Sequence, residues 1–352
     1  MRLVPAPDQA LRGGRAGRPG RHAAGVAAAA AGLVLVAGCH VALLSSSAAA
    51  GPTASGTITV AAPPGVADAP LYIGIKDGAF SRAGLTVRVV SGTSVPQEVA
   101  ALGNGRADIA FGDYADMFFA QEQKHAPHLL VVADGYDAAP NMMEVLTLPG
   151  SGITTPSELA NKTIGTSAAQ AMPTTKNNKS QPYSLETAAT WSVLTSDNVN
   201  AASINWVPNP PGGLINALKS HQVDAILATE PTIYEAESQL GAVPVLDSST
   251  GATANLPLDG YFTTSSYASK HQAVITAFRA ALAKAQAQAG MAAPLQSALT
   301  TSAGLKAQAA AMVTLGTYPT TLSAANLQRV VLLMFTFSAL PKTFSVSSIV
   351  AK

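Results

Sequence analysis

The chain has 352 residues, 48% of them hydrophobic and 12% charged, with 21 basic and 20 acidic residues and a formal net charge of +1. A charged fraction about half that of an ordinary soluble domain excludes a long solvated charged tail or coiled coil, and near-neutrality gives no general basic footprint for nucleic acid. The single cysteine, Cys39, excludes an internal disulfide framework and a multi-cysteine zinc site, while the length allows roughly two domains with a sizeable core.

Residues 1–22 carry Arg2, Arg12, Arg15, Arg18 and Arg21 against one acid, Asp8, and residues 23–38 carry no charge. A basic segment followed by a short apolar run is the pattern of a secretory signal. It runs into Val36-Ala37-Gly38-Cys39, which resembles the bacterial lipobox. That resemblance implies cleavage before Cys39, lipidation of its thiol, and anchoring by two or more acyl chains without a membrane-spanning helix. The competing reading is an uncleaved span, because residues 23–44 are long enough if His40 is tolerated. No twin arginine is present, which favours Sec export. Removing residues 1–38 takes away five arginines and one aspartate, leaving 16 basic and 19 acidic residues. The positive charge therefore belongs to the signal, and the remainder is mildly acidic. Residues 39–56, uncharged except for His40 and rich in Ala, Ser, Gly, Pro and Thr, read as a flexible tether.

From residue 57 the pattern alternates. A β-branched run at 57–61 predicts a strand, 69–81 a helix with Leu71, Ile75 and Phe80 on its apolar side, and 85–90 the next strand. A helix over 96–103, a strand over 107–111, a helix over 113–123 and a strand over 129–133 follow. The alternation then restarts: a helical turn at 156–160, strand 163–166, helix 185–194, strand 202–207, helix 213–220, strand 223–228, helix 231–240 and strand 243–246. Beyond Tyr261 the composition predicts helices over 271–289, 305–312 and 323–335, mostly in alanine-rich sequence. Strands alternating with helices predict an α/β protein whose parallel-core sheets carry helices on both faces. Two such units joined by extended segments leave a ligand cleft between lobes, with ligands expected at the carboxyl ends of the strands. The predicted organisation is lobe 1 over 57–140, lobe 2 over 141–257, and a return to lobe 1 with C-terminal helices over 258–352.

Five motifs in this order carry a family resemblance. They are Ala69-Pro-Leu-Tyr-Ile-Gly-Ile-Lys-Asp-Gly-Ala-Phe80 leading to Ala83-Gly-Leu-Thr-Val87, Ala101-Leu-Gly-Asn-Gly-Arg-Ala-Asp-Ile-Ala-Phe-Gly-Asp113, and Gly152-Ile-Thr-Thr-Pro-Ser-Glu-Leu-Ala-Asn-Lys-Thr-Ile-Gly165. Ala217-Leu-Lys-Ser-His-Gln-Val-Asp-Ala-Ile-Leu-Ala-Thr-Glu-Pro231 and Gly260-Tyr-Phe-Thr-Thr264 complete the set. Together they resemble the solute-binding proteins of ABC importers in the group that takes nitrate, aliphatic sulfonates, taurine and pyrimidine precursors of thiamine. The resemblance implies a two-lobed, type II periplasmic-binding-protein-like fold, and a bacterial, extracytoplasmic monomer held by its lipid on the outer face of the cytoplasmic membrane. It would deliver a small molecule to an ABC permease and ATPase, with no cofactor and no catalysis. Three features depart from the family pattern: His221 stands where a glycine is usual, Thr-Ser-Asp-Asn at 195–198 replaces a glycine turn, and 168–183 is long for its position.

Candidate ligand contacts lie in loops after strands. Ser91, Thr93 and Ser94 follow the second strand and precede Pro96, Asp113 and Tyr114 follow the third, Thr166 and Ser167 follow a strand of the second lobe, and Glu230 precedes Pro231. Hydroxyls and free N–H groups at helix starts suit an anion or cap the helix themselves, Tyr72 and Tyr114 offer flat walls with a polar tip, and Glu230 suits a cationic or hydrogen-bond-donating ligand. Asp108 and Asp224 close turns before apolar runs and read as structural. Enzyme signatures are weak: His125-Ala-Pro-His128 has no acid cluster to complete a metal site, and neither a Gly-x-Ser-x-Gly elbow nor a phosphate loop is present. A lipoprotein enzyme or sensor ectodomain on the same fold is the alternative from another class.

Overall fold

The run Thr57-Ile-Thr-Val forms the heart of β1 (Gly56–Ala61), which turns Ile58 and Val60 into the core and Thr57 toward water. The computed structural model describes residues 55–91, 95–121, 127–167, 170–173, 180–210 and 212–352; Cys39, Thr93, Ser94 and His125 lie outside the described residues. The helix expected over 69–81 is two helices, α1 (Ala69–Lys76) and α2 (Ala79–Arg82), because Gly78 takes a left-handed φ of 71° between them. That break folds Phe80 back over Gly74 and stacks it on Phe278 with ring centroids 5.4 Å apart. Ile75, expected on the apolar side, is exposed. Strand β2 (Leu85–Val90) pairs in parallel with β1 from Gly56↔Leu85 to Ala61↔Val90. Helix α3 (Val95–Gly103) leads to β3 (Ile109–Asp113), α4 (Tyr114–Gln121) and β4 (Leu129–Asp137).

The chain then crosses through 138–142 into a second sheet. Its elements are β5 (Met143–Thr147), a 3₁₀ turn at Pro156–Leu159, β6 (Thr163–Thr166), and a hairpin of β7 (Gln170–Pro173) and β8 (Ser180–Tyr183). Helix α5 (Leu185–Ser196), β9 (Asn205–Pro208), α6 (Leu214–Lys219), β10 (Ala225–Thr229), α7 (Thr232–Leu240) and β11 (Val243–Asp247) follow. Through 248–256 the chain returns to the first sheet as β12 (Pro257–Thr264), then runs through α8 (Ser265–Lys270), α9 (Gln272–Ala289), α10 (Ala292–Thr301), α11 (Ala307–Met312) and α12 (Ala324–Thr336).

The first sheet has the order β2-β1-β3-β12-β4 and the second β11-β5-β10-β6-β9. Each is a parallel core with one antiparallel strand, β12 in the first and β5 in the second. The two sheets open with the same device. Asp108 accepts the Thr59 N–H on its carboxylate at 2.8 Å and donates its own N–H to the Thr59 carbonyl at 2.8 Å. Asp224 repeats both bonds with Thr163 at 2.7 and 2.8 Å. At the two turns where the resemblance leads one to expect glycine, His221 takes φ 56° and Asn198, just past the end of α5, takes φ 59°. Both are left-handed positions occupied without glycine, at a cost asparagine bears more easily than histidine. A third tie between the ends of the fold is the Asp137–Thr317 bridge, with both N–H···O bonds at 2.9 Å.

Candidate functional site

Strands β1, β2 and β3 are parallel, so their carboxyl ends share one edge of the sheet, and antiparallel β12 starts from that edge. Carboxylates collect there. Asp68 precedes α1 after β1, Glu98 sits in the first turn of α3 after β2, Asp113 ends β3, and Asp259 stands directly opposite Asp113 in the β3–β12 register. Asp113 caps α4, its Oδ1 accepting the Asp116 N–H at 2.9 Å. Across from them, the first turn of α5 in the second lobe carries Glu186.

These acids act on one another. Burial pushes Glu98 up to about 8, and the charges of Asp259, Asp68 and Asp116 push the same way. Asp259 is likewise raised to about 8, by burial first and then by Glu186, Asp68, Asp116 and Asp134. Asp113 is raised well above the usual carboxylate range by burial and then by Glu186, Asp116 and Asp259, against the lowering effect of its bond from Asp116. Burial lifts Asp68 to about 7, although the Gly65 N–H donates to it at 3.0 Å. Among the described residues, the charged groups acting on Glu98, Asp113 and Asp259 are all carboxylates, and Glu186 belongs to the opposite lobe. Asp113 and Asp259 are enclosed by protein yet keep a partly accessible side, as groups lining a cleft do.

The sequence candidates fall in several surroundings. Asp113 lies in this cluster. Tyr72 is half-buried beside it, its hydroxyl pushed up to about 12 by burial and by the charge of Asp68. Ser91 is exposed at the end of β2. Tyr114 is fully buried, donates its hydroxyl to Asp134 Oδ1 at 2.8 Å, and packs its ring between Phe118 and Phe262. Thr166 is buried at the end of β6, where its carbonyl accepts the Asn209 N–H at 2.8 Å, and Ser167 beside it is exposed. Glu230 is buried with both oxygens engaged: Oε2 accepts the Tyr234 N–H at 3.0 Å, and Oε1 accepts the Thr314 N–H at 2.9 Å. It lines a hollow of about 340 Å³ with Glu144, Glu237 and Asn141, a different group from the Asp113 cluster.

Sequence reasoning passed over Asp68, Glu98, Asp259 and Glu186. For Glu98 a signal existed: Ala101 and Leu102, three and four positions on, are buried, so the acid lies on the apolar face of α3. Acids in first helical turns read instead as partners of the helix dipole. Among the described residues no group of three or more acidic, histidine or cysteine side chains is arranged to hold a metal ion.

Solved structures share this architecture. The alkanesulfonate-binding protein SsuA from Xanthomonas axonopodis pv. citri bound to MOPS is 18% identical, with a TM-score of 0.65 over 84% of this chain and 99% of that one. The periplasmic aliphatic sulphonate binding protein SsuA from Escherichia coli is 18% identical, with a TM-score of 0.68 over 85% and 98%. The desulfurization enzyme DSZB is 16% identical, with a TM-score of 0.64 over 84% and 96%. At such identities the likeness establishes the fold, a two-lobed periplasmic-binding-protein-like one. No curated protein matches the chain in sequence. The family model described as NMT1/THI5 like matches residues 67–297, well over half the chain, and this chain belongs to that family.

Proposed function

We propose that the chain is the solute-binding component of an ABC importer, a monomer exported and then held on the outer face of the cytoplasmic membrane by a lipid on Cys39. Residues 1–38 are the discarded signal, 39–56 the tether, 57–140 the first lobe, 141–257 the second, and 258–352 the return to the first lobe with the C-terminal helices. The observation that carries the reading is the meeting of groups from both lobes at one place: Glu186 of the second lobe acts on Asp113 and Asp259 of the first. A small molecule seated there touches both lobes and favours their closure by hinge motion at 138–142 and 248–256. Closure is the shape change a permease and its ATPase can recognise. Candidate contacts are Tyr72, Ser91, Thr93, Ser94, Asp113, Thr166 and Ser167, with Tyr114 and Glu230 holding the frame behind them. Sulfonates, nitrate-like anions and small heterocycles are the ligands to test, and the sulfonate-binding names of two structural neighbours support the first of these. Among the described residues no helix is long and apolar enough to cross a membrane.

The desulfurization enzyme is the reason to measure turnover as well as binding, because the same fold carries catalysis there. Native mass spectrometry of the full-length chain should show a co-purified small molecule released intact on denaturation. Chemical conversion of that molecule by the protein would replace the receptor reading with an enzymatic one. Metabolic labelling with a fatty acid should mark the wild-type chain and leave Cys39→Ser unmarked. Labelling that survives the substitution removes the anchor from the proposal.

A further inference from the structure

The cleft has a feature that its sulfonate-binding neighbours do not explain. Glu98 is 1% exposed, and among the described residues neither of its carboxylate oxygens has a hydrogen-bond partner. Asp68 is fully buried, and its Oδ2 is likewise unpartnered. The groups whose charges act on Glu98 come from three other elements: Asp259 on β12, Asp68 at the start of α1 and Asp116 on α4. Those acting on Asp113 are Glu186 on α5, Asp116 on α4 and Asp259 on β12.

The helix dipole accounts for part of this arrangement, because Glu98, Asp116 and Glu186 all sit in first helical turns. It does not account for all of it. Asp259 is on a strand, and a dipole contributes too little to offset burial of a carboxylate with both oxygens unpaired. The helix starts at this edge are moreover already complemented by the chain's own acids, so the charge that would welcome a sulfonate is taken up. An acidic cluster with unmet acceptors, and with no cation acting on it among the described residues, is complementary to a positively charged hydrogen-bond donor.

Resting on the receptor reading above, we propose that the ligand is a small organic cation, bearing a primary ammonium, a guanidinium or a protonated ring nitrogen, and that Glu98 and Asp259 receive its charge. The cationic nitrogen supplies N–H donors to Glu98, and Asp259 and Asp113 face the remainder of the positive charge. Glu186 closes on it from the second lobe, so the same charge that fills the site also removes the repulsion that holds the acids of the two lobes apart. A divalent metal ion is the other cation to consider, and the absence of a converging three-ligand group among the described residues favours the organic one.

The pH dependence separates a cation from an anion. Glu98 and Asp259 titrate near 8 when the site is empty, so a cation must displace their protons, whereas an anion must add protons to the site. Calorimetric titration of the full-length chain in mild detergent, at pH 6, 7 and 8 and in buffers of different ionisation enthalpy, reads this directly. The probes are butylamine, agmatine and 4-aminopyridine on one side, methanesulfonate, nitrate and formate on the other, and calcium chloride alone. We expect a cationic probe to bind with proton release, its Kd falling by up to about tenfold per pH unit for each proton displaced. Glu98→Gln should weaken that binding at least about tenfold and flatten the pH slope, while leaving the circular dichroism unchanged. Asp259→Asn serves as a second variant should Glu98→Gln fold poorly, with the same loss expected. Binding of an anionic probe with proton uptake, or of calcium alone, overturns the organic cation and leaves the receptor reading standing. Cation binding that neither variant alters also overturns the proposal. Silence from every probe, with no co-purified molecule in the native mass spectrum, overturns both readings together.

Discussion

The Gly260 α-carbon lies under the Tyr114 ring, and a β-carbon added there would collide with the Tyr114 hydroxyl and its ring carbons. This glycine is needed for close approach. Tyr114 is fully buried, and its hydroxyl donates to Asp134, whose backbone carbonyl in turn accepts Gln286 Nε2 at 2.7 Å. Displacing the ring therefore loosens β12, α4 and α9 at once. Gly260→Ala should destabilise the protein by about 2–4 kcal/mol, from overpacking plus a buried hydrogen bond lost. Chemical denaturation measures it, and a loss below about 1 kcal/mol would mean that the ring can move aside without consequence. The same position shows why the site was only partly legible from sequence. Motif position pointed to Asp113, which lies in the acidic cluster, and to Tyr114, one residue on, whose side chain turns into the core. Of the acids that act on Asp113, Asp116 is its near neighbour on α4, but Glu186 and Asp259 come from α5 and β12, so only the fold assembles them. Glu98 carried a local sign, an acid on an apolar helix face, whereas Asp259 became notable only once it was set opposite Asp113.

At the scale of elements, the alternation of strands and helices was readable because parallel strands buried on both faces are short apolar runs between helical periods. The antiparallel strands were not. β5 contains Glu144 and follows a crossing segment, and β12 contains Pro257, Asp259 and Gly260, residues that weaken a strand signal. They are strands because each fills the gap between strands already in place, and partners on both sides override propensity. The hairpin of β7 and β8 lies where the sequence is long for the family, a lengthening that the pattern showed but whose shape it did not. The second crossing, 248–256, is held by α12: Arg329 donates to the carbonyls of Ala252 at 2.7 Å, Ala254 at 2.8 Å and Asn255 at 3.4 Å. One guanidinium thus collects carbonyls within and just after the Gly251–Thr253 turn, and Phe337, which caps the end of α12, packs edge-on against Trp191 of α5, with centroids 5.8 Å apart. Arg329 is half-buried, so the bonds are discounted for water competition. Arg329→Ala should lower stability by about 1–2 kcal/mol and raise amide exchange within 248–256 before it does so in the sheets. Uniform acceleration across both sheets would assign α12 a global role instead of a local one at the crossing.

For the molecule as a whole, the buried acids fix how stability varies with pH. Folding raises Asp68 and Glu144 to about 7 and Glu98, Asp137 and Asp259 to about 8, in each case chiefly through burial, from unfolded values near about 4. A carboxyl raised on folding holds its proton longer in the native state. Between the two values the native state binds more protons, so stability is complete below about pH 4 and drains away as pH climbs toward 8. Glu158 runs the other way. Bonds from the Thr154 and Thr155 N–H groups hold it down to about 2, so its contribution is present above the unfolded value and is lost as pH falls. It is a single surface group and sets only the acid limb. The ligand-free protein should melt at its highest temperature near pH 5, and at pH 8 should melt at least about 5 °C lower, after the raised groups are discounted for their partial access to water. Scanning calorimetry across pH 4–9 checks this. A profile that is flat or rising from pH 5 to 8 would mean that these carboxylates are ionised and satisfied in the empty protein, and that the folded chain carries no unmet negative charge. The expected fall instead makes the empty receptor least stable under neutral to alkaline conditions, and a bound cation should restore most of the loss at pH 8 and little at pH 5, because only at the higher pH are there charges left to neutralise.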